Sequence, residues 1–176
     1  MIDMKLFQMM NLVPRYRDNV AKTIAHNGCD NNHRYCCRGV KRAGNKTRVM
    51  MLDDERFLLE LYKASFVKHG YEVSTYYNAE DALRVLREGA QPDVILFDIT
   101  MPDSRSGYEF IEVVQREKFA PSAIKISLTN EGQDAEIQRI AELGADGHLL
   151  KANYIPSEIV AKVAEMLLQK TSHGVS

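Results

Sequence analysis

Three aspartates follow short apolar runs at points where parallel strands could end. Asp53 and Asp54 follow the run 49–52, and Asp98 follows the run 94–97. Carboxylates that lie close together raise one another's pKa unless a cation compensates their charge. A ligand set of oxygens, without His or Cys, selects a hard cation, and Mg²⁺ is the hard cation that keeps several waters and also meets phosphate. The three aspartates therefore predict a magnesium site.

Asp98 is the candidate nucleophile of this group. An aspartate can attack phosphorus, and Mg²⁺ together with an ammonium group stabilises the acyl phosphate that forms. Asp98 alone follows the central run, and the loop 99–102 behind it offers a backbone carbonyl to the metal. Lys151, after the run 147–150, supplies an ammonium group, and Thr129, after the run 123–128, adds a hydroxyl. A single aspartate after a strand is more often a helix cap, but capping does not explain this whole set.

The elements that must position these side chains begin after residue 48, where apolar runs alternate with amphipathic stretches. This alternation is typical of repeated strand and crossover-helix units. Right-handed crossovers place helices on both faces of a parallel sheet, so we predict an α/β fold with a doubly wound, five-stranded parallel sheet. Ligands of such sheets bind beyond the carboxyl ends of the strands. The predicted strands are 49–52, 73–76, 94–97, 123–128 and 147–150, and the helices between them end near 69, 89 and 143, with a last helix from 156 to about 169.

Composition and charge exclude two classes of function. The chain has 176 residues, and no apolar run in it approaches the roughly 18–20 residues that span a bilayer. Residues 1–48 hold ten Lys/Arg and three Asp/Glu, a net charge of +7, whereas residues 49–176 carry −8. Nucleic-acid binding depends mainly on clustered Lys and Arg. We therefore expect the acidic main body to bind neither nucleic acid nor a membrane.

The basic N-terminal segment, residues 1–47, shows no sustained apolar period and is predicted to be disordered. It contains all three cysteines, and an odd number with two adjacent thiols is typical of a reduced intracellular protein, so we predict a cytoplasmic location. One spacing, His-x2-Cys-x3-His-x2-Cys, could hold zinc but matches no closed structural site that we recognise, and we interpret the segment as a solvated tail. Those potential ligands are His26, Cys29, His33 and Cys36. Residues 171–176 are predicted to be a flexible C-terminal tail.

Over residues 48–170 the sequence resembles the receiver domains of two-component response regulators. In that family an acidic pair follows the first strand, a phosphoaccepting aspartate with Met-Pro behind it follows the third, Thr or Ser follows the fourth, and Lys follows the fifth. The residues that look like these are Asp53 and Asp54, Asp98 with Met101-Pro102, Thr129, and Lys151 preceded by Gly144-Ala145-Asp146. Intervals of 44, 31 and 22 residues separate the second acid, the acceptor, the threonine and the lysine, and are similar to those of the family. The resemblance implies a flavodoxin-like (βα)5 sandwich with strand order 2-1-3-4-5.

The resemblance also implies roles at the metal and the phosphoryl group. Asp98 would accept the phosphoryl group, and Lys151 would pair with it. Asp54, Asp98 and the backbone carbonyl of Thr100 would ligate Mg²⁺, while Asp53 would orient the metal or act on it through water.

The resemblance also implicates two residues in switching. Thr129 would swing towards the phosphoryl group, and His148, where the family often has Tyr or Phe, would follow it inward. The alternative for His148 is a half-exposed strand residue without a switching role.

Three features depart from the family pattern. The loop 102–107 is one residue longer than usual, Asn130 stands where a small Ala is common, and Ala152 replaces the Pro that usually follows the lysine. These departures alter the mouth of the site and remove none of its chemical groups.

The implied function is that of a signalling switch, not of an enzyme acting on other molecules. A histidine kinase or a histidine phosphotransfer protein would supply the phosphoryl group. We expect no output domain after residue 169, so output would come from docking on the face built from the fourth helix, fifth strand and fifth helix. Two alternatives remain. One is a receiver-like module that binds its partner without phosphorylation. The other is a haloacid-dehalogenase-type phosphatase, which needs a second acid two residues after its nucleophile, where this chain has Thr100.

Overall fold

The structure, a computed structural model, describes residues 46–102, 105–130 and 133–173, with side chains as far as residue 170. The predicted N-terminal tail, apart from its last two residues, lies outside the described residues. The four potential zinc ligands, His26, Cys29, His33 and Cys36, lie outside them as well. Across the described part of the chain, no helix combines the length and the apolar character needed to cross a membrane.

Five parallel strands form the sheet, in the order β2-β1-β3-β4-β5. This confirms the predicted doubly wound fold. The ladder continues one residue beyond two of the apolar runs, so that Asp98 pairs with Leu128 and Thr129 pairs with Leu150. Both polar residues are therefore the last residues of their strands, not the first residues after them. The strands are β1 Arg48–Leu52, β2 Glu72–Tyr76, β3 Val94–Asp98, β4 Ile124–Thr129 and β5 Gly147–Leu150.

Each strand leads into a helix whose ends follow from local sequence. The Asn78 side chain accepts a hydrogen bond from the Asp81 backbone N–H, and Ser106 forms a capping box with Glu109; both satisfy N–H groups of a first turn that lack helical partners. Gly144, at φ 92°, follows the fourth helix in the left-handed region that favours glycine. The helices are α1 Arg56–Lys68, α2 Ala79–Arg87, α3 Gly107–Arg116, α4 Asp134–Glu142 and α5 Pro156–His173, with a one-turn 3₁₀ helix, Lys151–Asn153, after β5. The last helix thus runs four residues beyond its predicted end near 169.

The core lies on both faces of the sheet. All five residues of β3 are buried, as expected for a central strand covered from two sides. Ile95 and Phe97 pack with α2 and α3, and Phe97 meets Phe110 at 5.7 Å between ring centroids. Val94 and Leu96 pack with α1 and α5 on the other face. This two-sided packing holds the carboxyl ends of β1 and β3 side by side.

Lys125 is a buried cation within β4. It occupies every second position of the strand together with Ser127 and Thr129, so the three side chains share a face, and these residues are only 5%, 0% and 3% exposed. Its Nζ donates to the Ala123 carbonyl at 3.4 Å. Burial lowers the pKa of Lys125, the charge of Asp146 opposes this shift, and a neighbouring lysine adds to it. The ammonium group is therefore held where its charge is poorly compensated.

We expect Lys125→Met to raise the free energy of unfolding at neutral pH by about 1–2 kcal/mol, because an apolar side chain of similar volume replaces a buried charge. The pKa of Lys125 is lower in the folded than in the unfolded chain, so the charge penalty is complete below the folded-state pKa. It disappears as the pH rises through that value towards 10.5. The advantage of the variant should accordingly shrink as the pH approaches 10.5 in denaturant unfolding. Lys162→Met, which removes an exposed lysine paired with Glu165, is the control. A less stable Lys125→Met at neutral pH would contradict this account.

Candidate functional site

Three carboxylates meet at the carboxyl ends of β1 and β3. Asp53, Asp54 and Asp98 can each offer an oxygen such that the three oxygens lie within 4.8 Å of one another. Asp53 and Asp98 are buried, at 2% and 3% exposure, and Asp54 is the most accessible of the three. The two strands are neighbours in the sheet, which explains why residues 44 positions apart share one site.

The Lys151 side chain contacts two of the carboxylates from the direction of β5. Its Nζ lies 2.7 Å from Asp53 Oδ2 and 2.9 Å from Asp98 Oδ2, and its side chain is 4% exposed. The residue opens the 3₁₀ turn that follows β5, so its long side chain spans the end of β4 to reach β3. The peptide bonds of the described residues are all trans, including the one to Ala152.

The electrostatics of the site are dominated by burial and by an excess of negative charge. Burial raises the pKa of Asp53, and the ion pair with Lys151 offsets this only in part. Burial alone would lower the pKa of Lys151, but Asp53 and Asp98 together outweigh it and raise that pKa. Burial, followed by the charges of Asp53 and Asp98, also raises the pKa of the Tyr62 phenol on α1. One ammonium group faces three carboxylates, and a second cation at the same point would balance the charge.

Backbone contacts fix the two buried carboxylates. Asp53 Oδ1 accepts a hydrogen bond from the Glu55 N–H at 2.9 Å, and Asp98 Oδ1 accepts one from the Thr100 N–H at 3.3 Å. Gly107, at the start of α3, donates its N–H to the Ile99 carbonyl at 2.9 Å. A Cβ atom at Gly107 would overlap the Asp98 carbonyl oxygen, so only glycine allows the helix to approach the end of β3 this closely.

The longer loop after Asp98 is tied to a neighbouring helix. Residues 103–104 lie outside the described part of the chain, but Arg105 Nε lies 3.2 Å from Glu80 Oε1 of α2. The far end of this loop is therefore held beside α2. Asn130 follows β4 as an exposed residue.

Thr129 and His148 lie on adjacent strands beside the acidic site. Thr129 is buried at the end of β4, next to the strand that carries Asp98. His148 lies on β5 directly opposite Ser127, and its Nδ1 is 3.0 Å from Ser127 Oγ. Sequence analysis did not identify Ser127. Its position two residues before Thr129, and hence on the same face of the strand, was the signal that could have found it.

Comparisons with known proteins find one matching family and several similar folds. The family described as response regulator receiver domain matches residues 49–164, more than half of the chain. The chemotaxis response regulator CheY4 of Vibrio cholerae is 27% identical, with a TM-score of 0.62, and the match covers 70% of this chain and 99% of that one. A CheY-like receiver domain protein from Methanospirillum hungatei JF-1 is 26% identical, with a TM-score of 0.66 and coverage of 74% and 100%. The BeF3-activated receiver domain of DrrB is 25% identical, with a TM-score of 0.60 and coverage of 71% and 99%.

Proposed function

The chain belongs to the receiver domain family of response regulators, and from this premise we propose that it is a phosphoacceptor switch in which Asp98 takes a phosphoryl group from a histidine kinase or a histidine phosphotransfer protein. Receiver domains are signalling switches. The observation that carries the proposal is the buried contact of 2.9 Å between Lys151 Nζ and Asp98 Oδ2. It places a positive donor beside the one carboxylate that ends the central strand.

The transfer uses groups that the chain itself holds in place. A carboxylate oxygen of Asp98 attacks the phosphorus of a phosphohistidine, the new O–P bond forms, and the P–N bond breaks. The imidazole leaves with the electron pair of that bond and takes up a proton. Such transfers depend on positioning and on neutralising the phosphoryl oxygens. Lys151 pairs with one of these oxygens, and the Thr129 hydroxyl donates to another.

The donor set fits Mg²⁺ as the resident cation. Its three carboxylates supply oxygen ligands only, and they carry more negative charge than Lys151 balances. Asp54, Asp98 and the Thr100 carbonyl would hold the ion, and Asp53 would orient it. Bound there, Mg²⁺ neutralises negative charge on phosphoryl oxygens.

Mg²⁺ is expected to stabilise the folded chain because it relieves repulsion among the carboxylates. At a concentration ten times its Kd it should raise the free energy of unfolding by about 1.4 kcal/mol. Asp54→Asn should remove most of this gain, whereas Asp134→Asn, which changes an exposed aspartate of α4, should leave it intact. Thermal or denaturant unfolding across a Mg²⁺ titration measures the effect. Equal gains for the parent and Asp54→Asn would rule out Asp54 as a ligand.

Side chains around the site favour a protein as the phosphoryl donor. Phe57, near the start of α1, is 59% exposed, and Ile155, just before α5, is 48% exposed. Both follow closely in the chain after residues of the site, Asp54 and Lys151. Exposed apolar side chains at such a place are suited to contact with another protein.

The proposed location of this chain is the cytoplasm. Transfer from a cytoplasmic kinase would place it there, and the cysteine content also favours this location.

The output surface is proposed to be the face formed by α4, β5 and α5. Thr129 and Lys151, which contact the phosphoryl oxygens away from the metal, end or follow the strands that lead into these elements. A shift of Thr129 would therefore change the packing of this face, as expected when a local change in charge alters a distant surface.

Incubation with acetyl phosphate and Mg²⁺, followed by intact mass measurement, tests the function directly. We expect a gain of one phosphate that is labile to hydroxylamine, as an acyl phosphate is. Chelation of the metal should suppress the gain. A chain that is folded, binds Mg²⁺ and still gains no phosphate would overturn the proposal and favour a receiver-like module that acts without phosphorylation.

A further inference from the structure

A hydrogen bond between neighbouring strands fixes the orientation of His148. Ser127 and His148 are register partners in β4 and β5, and Ser127 Oγ lies 3.0 Å from His148 Nδ1. Ser127 is fully buried, and the other ring nitrogen of His148, Nε2, is buried as well. The ring therefore points into the protein although the residue as a whole is only half-buried.

The surroundings favour the neutral form of this ring. Burial lowers the pKa of His148, and the charge of Glu136, on α4, opposes the shift without cancelling it. The Ser127 hydroxyl donates to the Gly147 carbonyl at 3.5 Å, so its oxygen is left to accept from His148 Nδ1. The contact therefore favours the neutral tautomer that carries its proton on Nδ1.

Ser127 also lies on the same face of β4 as Thr129, two residues away. The contact to His148 comes from Ser127, so it does not depend on where the Thr129 hydroxyl lies. The two hydroxyls can thus act separately.

We propose that Ser127 is a positioning residue that holds the His148 ring inward before any phosphorylation, so that the position of this one side chain within the face formed by α4, β5 and α5 is set by this hydrogen bond in the resting chain. The inference rests on the proposed function for the meaning of that face, but the geometry it concerns is independent of phosphate. Phosphorylation at Asp98 then engages Thr129 and leaves the ring of His148 where it already is.

The test is ¹⁵N NMR of the His148 ring in the full chain. In the parent we expect one dominant neutral tautomer, a pKa below 6.5 and little change in the ring signals on adding beryllofluoride with Mg²⁺. Ser127→Ala should give averaged tautomers and a pKa closer to 6.5, and its ring signals should now respond to beryllofluoride. A parent ring that titrates normally with averaged tautomers, or one that moves on beryllofluoride as much as in the variant, would overturn the proposal.

A matched variant separates positioning from the loss of a strand serine hydroxyl in general. Ser74 is also a strand serine, and its Oγ donates to the Val49 carbonyl at 3.5 Å on the opposite side of the sheet. Ser74→Ala should leave the His148 ring unchanged, and Ser127→Thr, which keeps the hydroxyl, should restore the single tautomer. If Ser127→Ala does not fold, the tautomer and pKa of the parent still decide the question. A parent that gains no phosphate in the mass assay would overturn the proposed function alone, because the ring measurement without beryllofluoride needs no phosphorylation.

Discussion

Asp98→Asn is expected to abolish the gain of phosphate from acetyl phosphate. The amide keeps the shape of the side chain but lacks the negative oxygen that attacks phosphorus. Asp98 is the carboxylate that lies at the end of the central strand and within 2.9 Å of Lys151 Nζ. Intact mass measured over a time course in Mg²⁺ gives the result, and cooperative unfolding of the variant shows that it is folded.

The control for this loss is a second Asp→Asn change away from the site. Asp134→Asn, in the first turn of α4, should accept phosphate at the rate of the parent. If Asp98→Asn gained phosphate at that same rate, another carboxylate would be the acceptor, and Asp54 would be the first candidate because it is the most accessible of the three.

Much of the fold could be predicted from the sequence because each element carries its own signal. Apolar runs bounded by polar residues predicted all five strands, and right-handed crossovers predicted the parallel, two-sided sheet. The ends of two strands were predicted one residue too early. Asp98 and Thr129 remain in the ladder, because a polar side chain at the end of a strand does not interrupt the backbone pairing with Leu128 or Leu150.

The site was predictable as a set of residues but not as a set of contacts. The rule that parallel strands present their carboxyl ends at one edge brings the aspartates together. It does not say which carboxylate a long, flexible lysine will meet. The structure places Lys151 Nζ at 2.7 Å from Asp53, slightly closer than its 2.9 Å to Asp98, so Asp53 shares the ion pair as well as the predicted metal site.

The polar face of β4 shows a limit of pattern analysis. Lys125 and Ser127 alternate with apolar residues, and such alternation ordinarily indicates a strand with one face in solvent. Both are buried instead. Burial of a strand face depends on which helices cover it, and this is a tertiary property that a short run of residues does not encode.

Lys151→Met is expected to lower the free energy of unfolding by about 3–5 kcal/mol in the absence of Mg²⁺, because removal of one partner leaves buried charges uncompensated. The lysine side chain is 4% exposed and lies within ion-pair distance of two carboxylates. The variant should also accept phosphate more slowly, since it lacks the ammonium group that pairs with a phosphoryl oxygen.

Mg²⁺ provides a sharper test of the same charge balance. Without the ammonium group the three carboxylates carry more uncompensated charge, so Mg²⁺ should bind more tightly and stabilise Lys151→Met by more than it stabilises the parent. Lys162→Met removes a lysine that is 45% exposed and paired with Glu165 on α5, and we expect a change within about 1 kcal/mol and no altered response to Mg²⁺. One result would contradict this account. If Lys151→Met and the parent were equally stable without Mg²⁺, and if Mg²⁺ raised their free energies of unfolding equally, Lys151 would not balance the charge of the acidic site.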